Sequence, residues 1–567
     1  MSGRLIALAG LLAACLAATG VGDALIDSAR NDDPAAVAAL LSKGADVNAR
    51  EGDGSTALAW AVARSNVVIA ELLLKAGANP DLTNELGFGP LSLAITNGSA
   101  AIVRMLLEKG ANPNVARENG ETPLMTAARL GQVEVVKLLL DRKANVNVRD
   151  KKFGQTPLMW AAGRPEAVRL LVNHGADIRA TTSTWDIKYT IYAPTTVTLG
   201  RTGIPWNTDG DYTSKKGGLN ALFFAVQKND LESARILVDA GLDVGSAAAD
   251  GTTPLLAALY KWDPPNGVFV PGKGAPAVAG TSQKFGPDMA MARFLLERGA
   301  SVKVADATGY TPLHGAALAV AKAARSGSGR RRGAYGNSAA ALALGADDNA
   351  ASGRALEESL EMVGRLLAAG ADPNRQTVYP TAGPAGDVRI NPAPPGSSPM
   401  HIAASSNSVA LVKMLADRGG NPNLFRKDGH TPLTVAILAG NLPVIKEMVA
   451  RGGDLAARYS PADKIPDPVE SITLPRRDQT VMHFAALEGS VAVLEYLHSA
   501  GVPLDLKNSM GETPLDVADK RERYQEAAQQ QNAEGDQARL KAIVRQTTTS
   551  DAIRKLLRAS TSAPSLP

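Results

Sequence analysis

The sequence predicts an all-α repeat solenoid of about twelve stacked helical units carrying five loop insertions. Three observations lead there. A Thr-Pro-Leu motif recurs along the 567 residues, and its Leu or Met returns at 33-residue intervals, as in Leu25, Leu58, Leu91 and Leu124. A Gly follows that Leu or Met by 19 residues in most copies, as from Leu58 to Gly77 and from Met400 to Gly419. Aromatic residues make up only 4% of the chain, too few for one thick core but suited to thin layers of small helices.

The N-terminus reads as an address. Arg4 precedes an uncharged apolar run from Leu5 to Ala18, which has the form of a secretory signal over residues 1–20 and is too short to span a bilayer comfortably. Ala18-Thr19-Gly20 supplies small residues for cleavage, and export would place the chain in the periplasm or outside the cell. Leu12-Ala13-Ala14-Cys15 also has the form of a lipoprotein box, so a lipid anchor at Cys15 stays open as the alternative. Cys15 is the sole cysteine, and the folded part has no disulfide.

Each part of the repeat has a mechanical role. Thr122 is suited to cap a helix and Pro123 to its first position. Leu124 begins the apolar stripe, and Ala127-Ala128 let a neighbouring repeat approach closely. Gly131 ends the first helix, because a left-handed residue is least strained in Gly. Val135-Val136 and Leu138-Leu139-Leu140 form the buried face of a second helix. One such unit cannot bury its apolar side alone, so neighbours must stack.

These residues resemble the ankyrin repeat, whose T-P-L-H-x-A signature returns at Thr311-Pro312-Leu313-His314. Gly44-Ala45-Asp46-Val47-Asn48 and Gly175-Ala176-Asp177-Ile178 match the family's usual ending. The resemblance is to an exported ankyrin-repeat protein of bacterial type and covers nearly all of residues 22–560. It implies helix–turn–helix–hairpin units in a curved array that binds a protein partner on its concave side.

The expected organisation is repeats 1–5 over 22–178, an aromatic-rich insertion over 179–217 and repeats 6–8 over 218–374. A Pro/Gly-rich insertion at 375–396 and repeats 9–12 over 397–517 follow. Further insertions lie at 262–286, 322–357 and 457–478. Residues 518–567 form a polar helix, a capping helix built on Ala552, Ile553, Leu556 and Leu557, and a tail. The first insertion alternates like a strand from Trp185 to Tyr192. Trp185, Tyr189, Tyr192 and Trp206 are contact candidates for a partner or an envelope polysaccharide; the competing role is a hairpin that seals a gap between repeats. Ser326-Gly327-Ser328-Gly329-Arg330-Arg331-Arg332-Gly333 reads as a flexible basic loop.

Catalysis is not expected. The six His fall at repeat positions, and no metal, phosphate-loop or dinucleotide motif is present, so no catalytic, metal or cofactor residues are assigned. Asp46, Asp177, Asp243 and Asp372 recur because the turn favours Asp or Asn. A formal charge of +4 over this length does not imply nucleic acid. The resemblance places partner contacts at hairpin tips and at the end of the first helix. Tip candidates are Phe88, Glu121, Phe153, Tyr310 and Arg477. Helix-end positions hold Arg30, Arg64, Arg129, Arg164, Lys228, Tyr260 and Lys261, a basic stripe suited to an acidic protein.

Overall fold

The protein is seen in a computed structural model. The described residues are 20–191, 210–260, 287–326, 348–378, 396–426, 429–459, 478–520 and 552–558. Contacts divide the chain into two compact units, residues 1–185 with 215–249 and residues 186–214 with 250–567.

Helices come in pairs throughout. In the first unit, helices 20–30 and Pro34–Ser42 open the series. Ala57–Ala63 with Val67–Lys75, Pro90–Thr96 with Ala100–Glu108, and Pro123–Leu130 with Val133–Asp141 follow. Pro157–Trp160 with Pro165–Asn173 and Ala221–Gln227 with Leu231–Asp239 complete it. In the second unit the pairs start at Pro254, Pro312, Pro399, Pro432 and Val481, and helices 514–520 and 552–558 end it.

The fourth repeat shows why these residues fold this way. Thr122 Oγ1 accepts from the Met125 N–H at 3.4 Å, and Pro123 occupies the first turn, where no donor is needed. Leu124, Met125, Ala127 and Ala128 are buried on the first helix, as are Val135, Val136, Leu139 and Leu140 on the second. Gly131 closes the first helix at φ +71°, and a Cβ there would lie 2.4 Å from Arg164 Cδ. That position therefore needs Gly twice over, for its backbone and for the side chain of the next repeat. In the fifth repeat Gly163, at φ +89°, takes the corresponding place after a first helix of only Pro157–Trp160, and Thr156 makes no side-chain cap.

Between repeats, turn Asn and Asp residues form a ladder. Asp46 Oδ1 accepts from Asn48 N at 2.9 Å, and Asn48 Oδ1 from Asn79 N at 2.8 Å. Asn79 then accepts from Asp81 N, and Asp81 from Asn112 N. Asn114 Oδ1 takes Asn145 N at 2.7 Å, and Asn147 Oδ1 takes Asp177 N at 2.7 Å. The side chains accept by turns from a donor two residues on and from one in the next repeat, so the recurring acids serve the turn.

Two insertions leave the stack through matching necks. Thr182 N donates to Leu219 O at 2.9 Å, while Leu219 N donates to Thr182 Oγ1 at 3.1 Å. Thr377 N donates to Ser397 O at 3.0 Å, and Ser397 N to Thr377 Oγ1 at 3.1 Å. Beyond the first neck, strands β1 (Thr184–Ile191) and β2 (Gly210–Gly217) form a two-stranded sheet, which matches the alternation from Trp185 onward.

The reading of 322–357 as loop needs correction at both ends. Helix Pro312–Ser326 runs 15 residues and helix Asp348–Ala368 runs 21, so residues 322–326 and 348–357 are helical. Ala, Leu and Glu around the Gly/Ser/Arg tract extend the helices, because these residues lose little freedom there. Helix 552–558 buries Ile553 and Leu557 and is tied to 514–520 by Arg554 Nε to Asp519 Oδ1 at 2.7 Å. The Asn114→Ala variant, which removes one rung, is expected to lose about 1 kcal/mol. Urea unfolding should show a lower midpoint with an unchanged slope.

Candidate binding face

In the first unit, cations gather where first helices end. Arg30 ends helix 20–30, Arg64 is the C-cap of Ala57–Ala63, Arg129 lies in the last turn of Pro123–Leu130, and Lys228 is the C-cap of Ala221–Gln227. Arg164 is the N-cap of Pro165–Asn173. A cation at a helix C-terminus lies in a favourable field, which accounts for Arg30, Arg64, Arg129 and Lys228 but not for Arg164. The third repeat has Asn97 instead, whose Nδ2 donates to Val62 O and Ala63 O, both at 3.0 Å.

Two of these cations reach back onto the preceding repeat. The Arg164 side chain lies against Gly131, and the Lys228 side chain against Gly163. Arg129, Arg164 and Lys228 are all exposed. Arg164 and Lys228 have no ion pair among the described residues, and the nearest carboxylate oxygen to Arg129, on Glu121, is at 3.8 Å. The Lys228 ammonium is pushed below the usual lysine range by desolvation first and by the Arg164 charge second. Arg164 and Lys228 thus hold like charge close together, with no ion pair of their own among the described residues.

Two aromatic rings accompany the cations. Arg30 Cζ lies 4.7 Å from the centre of the Trp60 ring, and Arg129 Cζ 5.6 Å from that of Trp160. Glu51 receives both Arg30 Nη2 and Trp60 Nε1. Trp160 Nε1 is buried and has no acceptor among the described residues. Neither Trp was singled out from sequence. The available signal was that each stands two residues after its motif Leu, at Leu58 and Leu158.

The tip residues fare differently, and two expectations are corrected. Tyr310 is only 1% exposed, with its ring centre 5.0 Å from that of Tyr260 and 4.9 Å from that of His314. Burial, with Tyr260 and Asp306 nearby, pushes its hydroxyl well above the usual tyrosine range. Glu121 is also buried; it accepts from Arg117 Nη1 at 2.9 Å and from Thr126 Oγ1 at 2.9 Å. Both side chains are consumed within the stack rather than offered outward. Tyr260 is half-buried against Tyr310, and desolvation raises its pKa. Phe88 is half-buried beneath the Arg117 guanidinium at 3.9 Å. Phe153 packs 5.9 Å from Trp185, at the base of the β hairpin. Tyr189 lies in β1, while Cys15, Tyr192, Trp206, Lys261 and Arg477 lie outside the described residues.

The motif histidines of the second unit are structural links. His314 Nδ1 accepts from the Thr311 N–H at 3.3 Å, and its Nε2 lies 3.2 Å from Ser397 O. His401 takes the Ser398 N–H at 3.1 Å and reaches His430 O at 3.3 Å. His483 takes the Thr480 N–H at 3.1 Å and reaches Glu512 O at 2.9 Å. Each neutral ring thus accepts within its own turn and donates to the next repeat. Burial lowers the His314 pKa from 6.5 to about 4, and it lowers those of His401 and His483 as well. Below the unfolded value the unfolded chain binds more protons, so this stability is present above pH 6.5 and is lost as pH falls toward about 4. Thermal unfolding of wild type against His314→Asn should show the stability difference narrowing across that window.

Residues 25–117, 112–182 and 350–459 match the family described as Ankyrin repeats (3 copies), and 467–518 match Ankyrin repeats (many copies). Among curated proteins, the chain is 28% identical over 123 residues to the transient receptor potential cation channel subfamily A member 1 homolog of Caenorhabditis elegans. That match covers 22% of this chain and 9% of the relative. It is 38% identical over 118 residues to cyclin-dependent kinase 4 inhibitor B of Rattus norvegicus, covering 21% of this chain and 78% of the relative. Cyclin-dependent kinase inhibitor 2A of Monodelphis domestica is 31% identical over 118 residues, 21% of this chain and 60% of the relative. Among the described residues no helix is long and apolar enough to cross a membrane.

Proposed function

Because this chain belongs to the ankyrin-repeat family, we propose that it is a non-catalytic scaffold that binds a protein partner through the basic face of its first unit. The observation that carries this reading is the exposed run of Arg129, Arg164 and Lys228 on successive repeats, in which Arg164 and Lys228 lie near each other with no ion pair among the described residues. Like charges held together lower each other's stability, and an acidic surface on a partner relieves that strain. The half-buried rings of Trp60, Phe88 and Trp160 supply apolar area beside the cations. Relatives named as inhibitors of cyclin-dependent kinases share this architecture and support a protein as the ligand.

The uncharged run from Leu5 to Ala18 supports export, so the scaffold works in the periplasm or outside the cell. Mass spectrometry of the protein recovered from its native host's envelope tests this. A mature N-terminus near residue 20 marks soluble export, a diacylated Cys15 marks an anchor, and a retained Met1 removes the proposal.

Crosslinking capture with tagged protein tests the binding face. The triple variant Arg129→Glu, Arg164→Glu, Lys228→Glu should lose a partner held by wild type. Its affinity should fall by about tenfold or more at low salt and by less at high salt, where exposed charges are screened. Equal affinity for both proteins would remove the basic face from the account.

A further inference from the structure

A turn that faces water is normally polar, yet in the first unit the turns between paired helices carry exposed aliphatic side chains. Among the described residues of that unit, five large apolar side chains are exposed: Val67, Val68, Leu86, Leu130 and Val133. Leu86 belongs to a hairpin. The other four lie at or just beyond the turn between the helices of the second and fourth repeats. Val67 and Val133 hold the same place, nine residues after Leu58 and Leu124. The third repeat, between them, exposes Gly98 and Ala101, which are too short to obstruct a body laid across all three. Exposed apolar side chains are ordinary when scattered, and their concentration on one edge marks a contact surface.

The same edge carries cations. Arg64 is the C-cap three residues before Val67, and the Arg164 side chain lies over Gly131, in the turn that joins Leu130 to Val133. The carboxylates of the edge are engaged. Glu134 pairs with Arg104 at 2.7 Å, Glu232 with Arg169 at 3.1 Å, and Asp230 Oδ2 accepts from Gly163 N at 3.0 Å. Apolar area beside positive charge fits a partner surface that is apolar and acidic together.

The form of the partner's backbone follows from what these turns leave on offer. Ser65 N and Asn66 N donate to Val62 O and Ala61 O, and Gly98 N and Ser99 N to Ile95 O and Ala94 O. Gly131 N and Gln132 N donate to Ala128 O and Ala127 O. Pairing with an extended strand would need such main-chain groups, whereas a helix bonds its own backbone and brings only side chains. Packed helices lie about 8–10 Å apart, so Val67 and Val133, two repeats apart, are separated by roughly 16–20 Å. That is the reach of about 11–13 helical residues.

We infer that an acidic amphipathic helix of the partner lies along this edge, with its apolar side on Val67, Val68, Leu130 and Val133 and its carboxylates toward Arg64 and Arg164. The inference rests on the basic face being the binding surface.

Fluorescence anisotropy of the full chain tests this with a labelled, end-capped 18-residue peptide of Leu, Glu and Ala whose Leu residues fall on one side of a helix. Wild type should bind it about tenfold more tightly than a peptide of the same composition with the Leu residues spread around the helix. The variant Val67→Ser, Val68→Ser, Leu130→Ser, Val133→Ser should weaken binding about tenfold, with an unchanged melting temperature because these side chains are already exposed. Arg64→Glu should weaken it about three- to tenfold at low salt and less at high salt. If the Arg129/Arg164/Lys228 reversal abolishes binding while the serine variant matches wild type, or if both peptides bind equally, the helix is overturned and the basic face stands. If the reversal binds as wild type, both fall. Wild type that binds phosphatidylglycerol vesicles but neither peptide marks a lipid-binding edge and overturns both. Wild type that binds none of these probes overturns the helix.

Discussion

A pair of short helices has more apolar side than it can cover, and every other feature of this chain follows from that shortage. Leu124 and Leu139 are removed from water only because other repeats lie against them. The polar groups obey the same rule. Asn114 satisfies a donor that belongs to the next repeat, and His401 reaches a carbonyl 29 residues on. Apolar burial and hydrogen bonding thus impose the same period, and a change of register would break both together. Side chains at one position of the repeat consequently line up whether or not they attract one another. Arg164 and Lys228, on successive repeats, are neighbours for this reason, against their own electrostatics.

Much of this was legible in the sequence because the signals are local. Thr122, Pro123, Leu124 and Gly131 each act within a few residues of themselves, and their spacing repeats. Ile553 and Leu557 could be read as a terminal apolar stripe for the same reason. The misreadings came where the outcome depends on distant partners. Tyr310 holds a tip position of the family, yet Tyr260 and His314 enclose it. Glu121 reads as an exposed acid until Arg117 and Thr126 are seen to hold it. In 322–357 the Gly/Ser/Arg tract drew attention away from good helix formers on both sides, so two extended helices were read as loop.

The pairing of Trp60 with Trp160 shows a different limit. Both indoles and their preceding arginines are visible in the sequence once the repeats are aligned. What the sequence lacks is the knowledge that residues seven before and two after the motif Leu meet in space, together with a cation from the previous repeat. One repeat in which the set is complete supplies that knowledge for another in which it is not. In a repeat protein, then, the structure of one copy is a template for reading what has changed in its siblings.

The necks at Thr182 and Thr377 bear on how such a chain can change over generations. Each closes its insertion with a backbone pair and a buried threonine hydroxyl, so the stack ends at the neck and resumes there. The pairing at a neck depends on its own residues and not on the length of the segment it closes. Lengthening or replacing that segment can therefore leave the neck and the repeats on either side as they are. The insertions are free to diverge at their own pace, and lineages sharing one stack can come to differ chiefly in what they carry outside it.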